Sequence, residues 1–200
     1  MAMRLADRGA WPRSRSAITT ALVFAVHAVL RGGLTAGAAA TTGIGAALFA
    51  LELAVLASLV MAAQIDLAAR IVPNQLVLAM LAAGLVRMAL EPSGPRSQLL
   101  GLLVVGGVML VVGLAGRGAL GAGDVKLLAS AGLYLGWRAG LVAFLASFIY
   151  AAAISLALIC LRLRRRRDMV PFAPFLSAGI WTAMVLGGDA LALVWPFLAP

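Results

Sequence analysis

Charge and cysteine are both scarce in this sequence. Charged residues make up 12% of its 200 positions, and the seven acids are outnumbered by sixteen Lys and Arg. A soluble domain carries about twice that share of charge. With 64% hydrophobic residues and a mean hydropathy of +1.06, a soluble globular domain is excluded. The single cysteine, Cys160, lies in an apolar run. One thiol makes no internal disulfide and no zinc site of several thiolates, so Cys160 reads as a small core or lipid-facing residue, and neither metal nor cofactor is expected.

Long apolar runs fill the chain instead. Crossing the hydrocarbon takes about 20 apolar residues, and only helices or closed barrels satisfy their backbone there, so the chain accommodates roughly six or seven spans with no sizeable soluble domain beside them. The fold expected is all-α, a polytopic membrane helical bundle of about six core transmembrane helices plus an extra N-terminal one. Residues 1–44 form a basic segment and the extra helix, 45–187 the core membrane domain, and 188–200 a short apolar tail broken by Pro196. The first apolar run, 17–30, reads as a signal peptide or an anchor, and retention is favoured because Arg31 interrupts the approach to the small residues at 35–40. Core spans are expected at 45–65, 75–90, 97–116, 125–137, 139–161 and 170–186, with the sharpest corner at Trp137-Arg138.

The excess of positive charge is placed by topology, since the basic residues gather at the ends of apolar runs; nucleic acid is not an expected partner, and the lipid bilayer is. With the block at Arg162 and Arg164 to Arg167 in the cytoplasm, twelve of the sixteen Lys and Arg fall on that side, leaving Arg31, Arg87, Arg96 and Arg138 opposite. Asp66 and Asp124, 58 positions apart, then reach the same cytoplasmic membrane face.

Acids in or beside membrane spans are costly and are functional candidates. Glu52 reads as structural, paired with His27 or Arg31 or bonded across helices; Asp168 reads as a solvated partner of its neighbouring arginines and Asp189 as an interfacial loop residue. Asp66 and Asp124 have patterned surroundings. Asp66 ends a span ahead of Arg70 and Val72-Pro73-Asn74, where Pro73 suits the first turn of a helix and Asn74 can satisfy exposed backbone groups. Asp124 follows Gly121-Ala122-Gly123, whose glycines permit close approach, and it opens a helix whose dipole favours a carboxylate. Two neighbouring carboxylates that share a proton are the minimum equipment for aspartic proteolysis. Acids in spans equally serve proton or ion transport, so the chemistry alone leaves both open.

Three blocks together resemble the prepilin leader peptidases, in the short form associated with Flp-type (Tad) pilus assembly. They are Asp66 with Arg70 and Val72-Pro73-Asn74; Gly121-Ala122-Gly123-Asp124-Val125-Lys126 with its continuation to Gly136; and Val170-Pro171-Phe172-Ala173-Pro174-Phe175-Leu176. The resemblance implies a bacterial inner-membrane endopeptidase with Asp66 and Asp124 catalytic, cutting the short basic leader from a prepilin at the cytoplasmic face. Gly121, Gly123, Lys126, Pro73, Asn74, Pro171, Phe172 and Pro174 are then expected to bind substrate or shape the site. For Lys126 the alternatives are a cation beside Asp124, a contact to an acidic substrate residue, or a side chain reaching for the interface. Larger members carry a cysteine-rich cytoplasmic domain and also methylate the new pilin N-terminus; one cysteine cannot build that domain, so peptidase activity is expected without methyl transfer. The rival readings are a small proton- or ion-coupled transporter subunit, a presenilin-type intramembrane protease, whose tyrosine-aspartate partner motif is replaced here by Ile65-Asp66, and a purely structural assembly subunit.

Overall fold

The computed structural model describes residues 43–91, 95–116, 120–162 and 170–187. Among them there are six helices and no strand: α1 (Gly43–Ala69), α2 (Asn74–Leu90), α3 (Pro95–Ala115), α4 (Ala122–Leu135), α5 (Trp137–Cys160) and α6 (Ala173–Leu186). The all-α membrane bundle expected from composition is what forms. Three helices, α1, α3 and α5, are long and apolar enough to cross a membrane unaided. The extra N-terminal helix, the apolar tail, Asp168, Asp189 and most of the basic block fall outside the described residues, as do His27 and Arg31.

Two compact units divide at Ala57 and Ser58, inside α1. The described part of the first is the initial stretch of α1, apolar except for a half-buried Glu52. The second holds the rest of the bundle, and α4 lies at its centre, touching α2, α3, α5 and α6. A central helix has no lipid-facing stripe to fill, so its residues are buried around much of its circumference, including Asp124, Leu127, Leu128, Ser130, Ala131, Leu133 and Tyr134. The closest crossing, α3 on α4, sets Gly101 against Gly132. A methyl group on either would strike the backbone carbonyl of the other, so only glycine at both positions lets the helices approach this far.

Several boundaries differ from those expected of the sequence, each for a local reason. α1 does not end at Ile65; it continues to Ala69 and stops where Arg70 takes a left-handed φ of 56°, which puts Asp66 inside its last turn. α3 begins at Pro95, because the first helical position needs no N–H and suits the fixed φ of proline. The break between α4 and α5 is Gly136, at φ 81°, one residue before the Trp137-Arg138 corner anticipated. α6 starts at Ala173 instead of 170, since Pro171 keeps Val170 out of the helical region.

The helix polarities sort the chain's charged groups by end. Arg87 in the last turn of α2, Arg96 in the first turn of α3 and Arg138 in the first turn of α5 gather at one end. There Arg87 pairs with Glu91 at 2.8 Å and lies 4.8 Å from the ring centre of the buried Tyr134. Asp66, Arg70, Asp124 and Arg162 belong to the other.

Candidate active site

Two aspartates, 6% and 8% exposed, lie at this second end. Asp66 comes from the last turn of α1, where the C-terminal pole of the helix is unfavourable for a carboxylate. Its compensation is the start of α6, where the backbone N–H of Ala173 donates to Asp66 Oδ2 at 2.9 Å. One turn further along α6, Ser177 Oγ donates to the carbonyl of Leu59 at 2.9 Å. Positions 173 and 177 lie on one face of α6, as 66 and 59 do on α1, so two bonds, one turn apart on α6 and about two turns apart on α1, set the register between the helices.

Asp124 occupies the third position of α4, behind Gly121 as N-cap. From there its carboxylate reaches back to hydrogen-bond the backbone of Gly121, the half of a capping box that an acid at this position supplies. Its other oxygen, Oδ1, is buried and meets no hydrogen-bond donor among the described residues. Asp66 and Asp124 are both buried at this end of the bundle. The segments bearing them are held together by Gly123, where an added Cβ would lie 2.9 Å from Cβ of Val72 in the α1–α2 connection. A larger residue at 123 would push the two aspartates apart.

The other anticipated residues sort by position. Gly121 and Gly123 are beside Asp124, as described. Pro73 is the N-cap of α2, with no side-chain cap bond, and follows the Val72 that packs on Gly123; Asn74 opens α2 and is exposed. Pro171, Phe172 and Pro174 frame the start of α6 that delivers Ala173. Phe172 packs edge-on against Phe148 of α5 at 5.3 Å, and the ring series continues to Phe144 on one side and Phe175 on the other. Lys126 is exposed, and two residues beyond Asp124 it points about 200° around α4, away from the pair. Three contributors were given no role by the sequence reading: Ala173 and Val72, which stand in its blocks only as part of the pattern, and Ser177. Only the prolines at 171 and 174 hinted at the first, by marking a helix start between them.

Among the described residues no group of three or more His, Cys, Asp or Glu gathers as a metal site would require. Two buried carboxylates in mutual range, each bonded to a different backbone segment, are instead equipped to pass protons.

A helical membrane protein with paired acids at one end of its bundle defines a narrow class. The profile of the type IV leader peptidase family matches residues 53–156, just over half of the chain, and the chain belongs to that family. Prepilin leader peptidase/N-methyltransferase of Aeromonas salmonicida strain A449 is 34% identical over 133 residues, covering 64% of this chain and 45% of that protein. The protein of the same description from Burkholderia pseudomallei strain 1026b is 35% identical over 157 residues, 74% of this chain and 50% of that protein. A third, from Stutzerimonas stutzeri, is 27% identical over 134 residues, 64% and 46% of the respective chains. The chain thus spans about half the length of the curated relatives it matches. No solved structure matches it significantly.

Proposed function

We propose that this protein is an aspartic endopeptidase of the bacterial inner membrane that removes the short basic leader from type IV prepilins of the Flp kind at the cytoplasmic face. The observation that carries this reading is the burial of Asp66 and Asp124 on segments packed together through Gly123 and Val72, at the end of the bundle holding Arg70 and Arg162. Neighbouring carboxylates resist double ionisation; with one proton between them, one activates water while the other protonates the scissile carbonyl. Family membership supports the peptidase, and the printed names of the relatives support a prepilin as substrate. The bias of Lys and Arg supports the cytoplasmic face, and the short form the sequence resembles supports the Flp type. Methyl transfer forms no part of the proposal. A proton-relay transporter would set its acids at successive depths, and the pairing of these two disfavours it.

Co-expression with a prepilin bearing a short basic leader tests the proposal. The native chain is expected to remove the leader, seen as a mobility shift and a new N-terminus, and Asp66→Asn and Asp124→Asn each to slow removal by about 100-fold or more. Full processing by either variant overturns it.

A further inference from the structure

Aromatic residues make up only 6% of this chain, yet four of its seven phenylalanines stand in one continuous series beside the aspartates. Phe172 is the N-cap of α6 and directly precedes Ala173, whose N–H holds Asp66. From Phe172 the series branches, to Phe175 at 6.4 Å and to Phe148 of α5 at 5.3 Å, and Phe148 continues to Phe144 at 4.7 Å. Both branches lead away from the acids. Phe175 is a turn further into α6, which starts at the site, and Phe144 is a turn nearer the start of α5, which begins at the opposite end of the bundle. All four are half-buried, so part of each remains open to the surroundings, and Ile149 beside them on α5 is 63% exposed. Lipid alone does not call for rings here. Acyl chains are as apolar as any side chain, so a helix associates with another in the bilayer through close packing, and flat rings provide broad surfaces for it. A surface without charge or hydrogen-bonding groups suits a helix, whose backbone is satisfied internally, and rejects an extended peptide.

Resting on the peptidase reading above, we propose that the seam of α5 and α6 at Phe144, Phe148, Phe172 and Phe175 docks an apolar helical segment of the substrate adjoining the scissile bond. The end of that segment nearest the cut lies at Phe172, next to the contact between Ala173 and Asp66, and the rest descends along the rings into the bilayer. Continuity of the series with the paired acids is what selects this occupant, because a segment docked here carries its own flanking peptide to them. Binding energy gained away from the reacting groups then sets which peptide bond reaches the aspartates. The rings determine specificity and take no part in the chemistry.

In the full-length chain, Phe144→Leu combined with Phe175→Leu keeps apolar bulk and removes two flat surfaces. With a prepilin substrate that carries an apolar segment, the double variant is expected to raise KM about 5–30-fold, with kcat at saturation within about threefold of native. Deleting the apolar segment from the substrate is expected to raise KM of the native chain by a similar factor, and on that truncated substrate the two exchanges add less than about twofold. Phe49→Leu, in α1 and outside the series, is expected to leave KM for the full substrate within about twofold. Contact is also read directly. With Phe144 exchanged for p-benzoyl-phenylalanine in the Asp124→Asn chain, which holds its substrate uncut, irradiation is expected to link this side chain to the apolar segment. An unchanged KM in the double variant overturns the docking surface, as does an equal rise in Phe49→Leu or on the truncated substrate, or a link to lipid alone. Absence of cleavage by the native chain overturns the peptidase reading, while the photochemical link still decides the docking, so the two failures are distinguishable.

Discussion

Asp66 lies at the pole of α1 least suited to a carboxylate, and Asp124 at the pole of α4 best suited to one. The site therefore depends on groups that are not acids, and at this scale the most exacting is Gly123, whose missing side chain lets α4 lie on Val72. Gly123→Ala is expected to reduce leader removal severely while costing about 1–3 kcal/mol of stability, because Val72 must shift and carry the Asp66 segment with it. Cleavage assays beside thermal unfolding in detergent check this, and native activity would show that the close approach is incidental. The aspartates themselves were legible in the sequence, since an acid in so apolar a chain is conspicuous and both stand in patterned blocks. Ala173 was not legible, because its contribution is an N–H that every residue except proline possesses. Lys126 was conspicuous, yet helix geometry turns it away from the pair.

Between helices, the spacing that brings Asp124 to Asp66 is set by the contacts of α4 with its four neighbours. Gly101 and Gly132 form the tightest of these, backbone against backbone, where no rotamer change makes room. Gly101→Ala is expected to destabilise the bundle by about 1–3 kcal/mol or more, read as a lowered unfolding temperature of the detergent-solubilised chain. An unchanged temperature would mean that α3 slides freely on α4. Helix existence was well marked by the apolar runs, and the starts and stops less so. Asp66 was expected to end its span and lies inside the last turn instead, because α1 runs on to Ala69 and stops at Arg70, and a left-handed residue other than glycine carries little signal in composition. The glycine contact between α3 and α4 was equally hidden: a single chain shows where glycines are but not which ones face each other.

For the molecule as a whole, sidedness is the property that the bias of basic residues predicted, and helix polarity now gives it a handle. Cys160, the last residue of α5, is exposed and lies toward the end that holds the aspartates. A membrane-impermeant thiol reagent is expected to label it in inverted inner-membrane vesicles and not in intact spheroplasts. The reverse pattern would place the paired acids on the outer face and contradict the leader-cleaving reading. The bundle also mixes lengths: α1, α3 and α5 run 27, 21 and 24 residues, whereas α4 and α6, whose N-termini serve the two carboxylates, have 14 each. At 1.5 Å per residue the short pair reaches only about 21 Å, against about 30 Å of hydrocarbon. Because α4 is enclosed by its neighbours, only α6 can pass this mismatch on to lipid, by thinning the bilayer beside it. Where the bilayer thins beside the start of α6, head groups and water reach the depth of the buried acids, and a prepilin cut as proposed above would meet them without entering oil.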